Sequence, residues 1–146
     1  MFYLKSGYPS YEISYFCFHF NKVMQIIPVT DKSTALEFLQ IAVVLHKNDG
    51  NWIRPLDKDI NEVFDKEKNK AFRFGEAIRW VLKDGNGKLI GRIAAFTNKK
   101  YKNKGDDVAV GGIGFFECIN HREAAAILFD TAKQWLHHKG MQAMDG

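Results

Sequence analysis

Val108-Ala-Val-Gly-Gly-Ile-Gly-Phe-Phe-Glu-Cys-Ile-Asn-His-Arg-Glu-Ala-Ala-Ala-Ile-Leu-Phe-Asp-Thr-Ala-Lys-Gln-Trp-Leu-His-His-Lys-Gly140 is the stretch that decides the fold. Its first part, Val108–Ile119, is an apolar strand-like run carrying Gly111, Gly112 and Gly114. Asn120 then offers an N-cap oxygen, and Glu123 three residues on suits a capping box. Ala124, Ile127, Leu128, Thr131, Ala132, Trp135 and Leu136 follow at helical spacing on one apolar-leaning face. His137, His138 and Lys139 fall in the last turn, where cations suit the helix dipole, and Gly140 stops the helix. Met141–Met144 starts a further strand. The reading is strand, helix, strand.

The residues upstream predict a hairpin. Ala77–Leu82 and Leu89–Thr97 are apolar runs joined by Lys83-Asp84-Gly85-Asn86-Gly87-Lys88, whose Asp-Gly and Asn-Gly pairs favour a tight antiparallel turn. Met24–Val29 is a short strand, and Pro28, lacking an N–H, assigns it to a sheet edge. Thr30, Asp31 and Ser33 offer cap oxygens to an amphipathic helix over Ser33–His46, which Asn48-Asp49-Gly50 ends. Trp52–Leu56 is extended because Pro55 keeps its predecessor out of the helical region. Asp59–Lys68 reads as a short second helix, and Asn98–Asp107 as a polar, lysine-rich loop. The order is β-α-α-β-β-β-α-β, an α/β fold with no internal repeat.

At 146 residues and a formal charge of +4, the chain suits a single domain with a real core. Cys17 and Cys118 lie far apart and belong to no Cys/His pattern, so neither a disulfide framework nor a metal site is indicated, and a cytoplasmic setting is expected. No apolar run approaches the ~20 residues of a membrane span. Residues 1–23 are crowded with aromatics but lack helical periodicity, a cap or a cleavage signal. Met24 is therefore the expected start of the domain, which occupies 24–146, with 1–23 as an extension outside it.

The element order and four local motifs resemble the GNAT superfamily of acyl-CoA-dependent N-acyltransferases. The likeness is to a bacterial GNAT-like subfamily with Trp-Ile-x-Pro-Leu (Trp52–Leu56), Gly-Arg-Ile-Ala-Ala (Gly91–Ala95), Gly-Phe-Phe-Glu (Gly114–Glu117) and Trp-Leu-x-x-x-Gly (Trp135–Gly140). It implies a central strand and following helix that splay around acetyl-CoA as cosubstrate. Phe116, Cys118 and Ile119 would lie along the pantetheine arm, and His121, Arg122, Glu123, Ala124 and Ala125 would meet the pyrophosphate. A helix start suits that role because its free amides and positive dipole end attract anions. The superfamily's phosphate loop reads Gln/Arg-x-x-Gly-x-Gly/Ala. Ala125 fits the last position here, whereas Glu123 stands at the first glycine. The resemblance also implies that the second arm of the splay and the tyrosine acid lie beyond Gly146, so the chain is expected to be a fragment without activity on its own.

Thioester aminolysis needs a base for the ammonium, N–H donors for the oxyanion and an acid for the thiolate. The resemblance implies that backbone groups of Phe116–Cys118 supply the donors and that Glu117 is the base, directly or through water. Its direction is open because strand side chains alternate. Asp107 and Glu76 are weaker candidates. The acceptor would be a small-molecule or peptide amine, and a homodimer is compatible with the reading. A catalytically degenerate GNAT-like binding or regulatory module is the alternative, motivated by Glu123. Lys99–Lys104 alternates lysine with Tyr101, a pattern that fits a solvated loop better than a nucleic-acid contact.

Overall fold

The computed structural model describes residues 23–101 and 108–146. The expectations for the N-terminal extension, Lys102–Lys104 and Asp107 therefore lie outside the described residues, apart from Val23. Five strands form one sheet in the order β1-β2-β3-β4-β5: β1 (Gln25–Pro28), β2 (Gly75–Lys83), β3 (Leu89–Asn98), β4 (Val110–Cys118) and β5 (Ala143–Asp145). The first three pairings are antiparallel and β4 with β5 is parallel. Helices α1 (Lys32–Leu45) and α2 (Asp57–Val63) precede β2, and α3 (Arg122–His138) links β4 to β5. This is the predicted order, with the added 3-10 turn Lys70–Arg73.

Side-chain alternation sorts the core into two layers. Trp80, Leu82, Ile93 and Ala95 face α3, against Ala124, Leu128, Ala132 and Leu136. Val81 and Ala94 face α1 and α2, against Phe38, Leu39, Ile41 and Ile60. Gly111 lets α3 come close, since a Cβ there would stand 2.4 Å from Leu136 Cδ2. That glycine serves helix packing.

Local chemistry sets the helix ends. Asp31 caps α1 by accepting from the Thr34 amide at 2.8 Å, and the Thr34 hydroxyl accepts from the Asp31 amide. The backbone bond from Thr34 lowers the Asp31 pKa below its ordinary 3.8. A lowered folded-state pKa stabilises above the unfolded value and loses that effect as pH falls through the folded value. Asp31→Ala is thus expected to be less stable than the parent at pH 7, and the gap should narrow below pH 3.8, as read by urea unfolding at both pH values.

At α3 the cap is His121, one residue later than the Asn120 expected, because the Ala124 amide donates to its Nδ1. The His121 amide instead donates to Ile119 O at 2.7 Å, a tight turn that carries β4 into the helix. Gly140, at φ 80°, ends α3, with Met141 N–H on Leu136 O and Gly140 N–H on His137 O.

Candidate functional site

The site is built by an irregularity in β4. Ala94 pairs with Gly114 and Arg92 with Glu117, so Ile93 alone on β3 opposes both Phe115 and Phe116 on β4. Phe115 has a φ of 54°, a left-handed conformation that a bulky side chain rarely adopts. Such a bulge inserts one residue and reverses the facing of everything after it. Ile113 lies with the α3 layer, whereas Phe115 packs into the α1 layer against Phe38, Phe64 and Phe96. Glu117 consequently shares the α1 side with Arg92, and Phe116 and Cys118 turn to the α3 side.

On the α1 side a polar cluster lies within an otherwise aromatic layer. Arg92 is only 3% exposed. Its Nη1 donates to Phe38 O at 2.7 Å, its Nη2 lies 2.6 Å from Glu117 Oε2, and its guanidinium sits 4.8 Å from the Phe38 ring centroid. Burial pulls the Arg92 pKa down from its ordinary value, and the Glu117 charge opposes that shift. The other carboxylate oxygen, Glu117 Oε1, is 3.2 Å from His46 Nε2. His46 closes the C-terminus of α1 and stacks on Trp52 at 5.0 Å with 17° between the rings. Arg79 stands beside this cluster, 4.2 Å from the Phe64 centroid, its pKa lowered by burial and by Arg92.

On the α3 side Phe116, 38% exposed, stacks on Phe129 at 4.3 Å. Burial pushes the Cys118 thiol up, away from the thiolate a nucleophile needs. Ile119 N–H donates to Ile90 O, continuing the ladder. His121, Arg122 and Glu123 are exposed at the helix start. The Ala124 side chain lies in the core and its amide is taken by His121, while the Ala125 amide donates to His121 O. The amides of Arg122 and Glu123 find no acceptor among the described residues, so two donors and the dipole's positive end face outward there.

The residues named from sequence thus divide in two. Phe116, Cys118, Ile119 and the His121–Ala125 turn surround the junction of β4 and α3, and Glu117 lies across the strand from most of them. Glu76 is elsewhere, bound to Lys139 at 2.7 Å. It lines a cleft of about 520 Å³ at the far end of the sheet, with Phe74, Lys99 and Tyr101. Neither His46 nor Arg92 stands out in the sequence, since the contacts that single them out span 71 and 54 positions. Among the described residues no group of three or more His, Cys, Asp or Glu is arranged to hold a metal ion, and no helix is long and apolar enough to cross a membrane.

No protein-family description matches the sequence, and no curated protein does. Solved structures do match. The aminoglycoside acetyltransferase AAC(6')-Iy, in complex with the bisubstrate analogue CoA-S-monomethyl-acetylneamine, superposes with a TM-score of 0.59 at 17% identity, over 85% of this chain and 79% of that one. A tandem GNAT protein from the clavulanic acid biosynthesis pathway gives 0.59 at 14%, over 80% of this chain and 34% of that one. The chain thus spans about a third of the tandem protein's length. A predicted acetyltransferase from Clostridium acetobutylicum, with acetyl-CoA, gives 0.57 at 12%, over 84% and 79%. The fold of this chain is therefore the GNAT fold.

Proposed function

We propose that this chain forms the acyl-CoA-binding part of an N-acetyltransferase, with acetyl-CoA as donor and a small-molecule or peptide amine as acceptor. The observation that carries the reading is the β4–α3 junction, where a bulged strand runs directly into a helix start with two outward amides. Coenzyme A offers that junction a pyrophosphate for the helix start and an amide-bearing arm for the strand. His121 and Arg122 add donors beside the pyrophosphate. Because the His121 Nδ1 accepts from Ala124, a neutral ring carries its proton on the outward Nε2. The Phe116–Phe129 pair, with Phe116 exposed and Phe129 partly buried, provides an apolar wall for the pantetheine. Backbone N–H groups of Phe116–Cys118 supply the oxyanion donors, and the cluster around Glu117 accepts the amine's proton. The GNAT structures in complex with CoA analogues and acetyl-CoA support the reading by analogy of fold.

Calorimetric titration tests it. Acetyl-CoA should bind, and acetyl-pantetheine, which lacks the pyrophosphate, should bind more weakly. No heat with acetyl-CoA up to ~1 mM, a free energy of about 4 kcal/mol, would overturn the assignment. The Glu123 carboxylate, exposed in the first turn of α3, favours the alternative of a degenerate binding module. Removing its charge with Glu123→Gln should tighten acetyl-CoA binding by a factor of about two to five, as expected for one charge at a helix N-terminus. If the parent fails to bind and only the Gln variant succeeds, the degenerate reading stands instead.

A further inference from the structure

We infer that His46 is the base of the site and that Glu117 is its positioning residue; this rests on the acyltransferase reading above. Both oxygens of Glu117 are occupied. Oε2 faces the buried Arg92 Nη2 at 2.6 Å, and Oε1 faces His46 Nε2 at 3.2 Å. A carboxylate held from both sides has no oxygen turned toward an incoming ammonium. His46 does have a site to offer. With Nε2–H donating to Glu117, the neutral ring keeps its lone pair on Nδ1, which has no partner among the described residues.

The ring is fixed in two further ways. Trp52 stacks on its face at 5.0 Å, and α1 ends at Leu45, so the backbone of His46 still donates to Ala42 O. The side chain remains about one-third exposed, so substrate can reach it. Arg92 holds Glu117, Glu117 orients His46, and Trp52 sets the ring plane. The same logic, a carboxylate fixing the tautomer of an imidazole, underlies hydrolytic triads. It also gives Trp52, at the head of the extended segment before α2, a reason to be an aromatic.

The step balances without another reagent. His46 Nδ1 takes one proton from the ammonium of the acceptor. The freed amine forms a C–N bond to the thioester carbonyl, and the C–S bond breaks. The nitrogen releases its second proton, and the departing thiolate takes up a proton through solvent. One proton in total returns to water from the imidazolium.

Two readouts test the assignment on the intact chain. Long-range 1H–15N NMR should show the His46 ring as the Nε2–H tautomer, and Glu117→Ala should turn it into a mixture. An Nδ1–H ring in the parent would overturn the proposal, whatever the chain does with acetyl-CoA. Diethyl pyrocarbonate, followed by mass spectrometry, should label His46 in the free chain and label it less with acetyl-CoA bound, while His137 and His138 are unaffected. If calorimetry shows acetyl-CoA bound yet His46 labels unchanged, His46 lies outside the site and the proposal fails. If acetyl-CoA does not bind, the acyltransferase reading fails instead.

Discussion

Arg92→Met is expected to destabilise the fold by about 3 kcal/mol, the low end of the range for removing one partner of a buried ion pair. The low end applies because the Glu117 side chain is 22% exposed and regains some water. The substitution keeps an unbranched apolar stem but removes the bond to Phe38 O and leaves Glu117 without its cation. Glu117→Met alone should also destabilise, because it leaves the buried Arg92 uncompensated. The double variant should cost distinctly less than the sum of the two singles, since no charge is then left behind. Urea unfolding of the four proteins gives the coupling directly. A cost below about 1 kcal/mol for Arg92→Met would mean the pair behaves as an ordinary surface contact.

Phe38→Ala should cost more, about 4 kcal/mol. Phe38 is fully buried, packs edge-on to Phe64 at 5.7 Å and meets Phe115 at 5.9 Å. Its ring also lies under Arg79 and Arg92, at 5.2 and 4.8 Å from the guanidinium carbons. Removing it opens a cavity between α1 and the bulge and deprives the buried Arg92 and the half-buried Arg79 of their aromatic neighbour. A loss of that size is a large share of a domain's total stability. Phe38→Leu, which refills much of the volume, should cost well under half as much. Equal losses for the two variants would show that the site collapses around any smaller residue, and that the aromatic contacts contribute little.

These two residues also mark how far the sequence could be read. Strands and helices follow from local patterning, so the hairpin around Asp84–Lys88, the edge strand with Pro28 and the face of α3 all sit where periodicity places them. The α3 cap falls one residue late because His121 Nδ1 reaches the Ala124 amide. The glycines of β4 are compatible with a bulged strand but do not place the bulge. Gly111, Gly112 and Gly114 mark a strand able to bend, yet the residue in the left-handed region is Phe115, held there by Phe38, Phe64 and Phe96. Alternation alone therefore left the direction of Glu117 open, and the inserted residue decides it. The junction residues Phe116–Ala125 were legible because strand and helix are contiguous there. His46 and Arg92 were not, because their meeting with Glu117 depends on how α1 crosses the sheet, a tertiary fact.

We propose the β4–α3 junction as the acyl-CoA site. Amide NMR of the chain titrated with coenzyme A tests this most directly. Shifts concentrated at Phe116–Ile119 and at His121–Ala125 are the predicted result. Shifts confined to the far cleft of Phe74, Lys99 and Tyr101, or no shifts at saturating ligand, would contradict it.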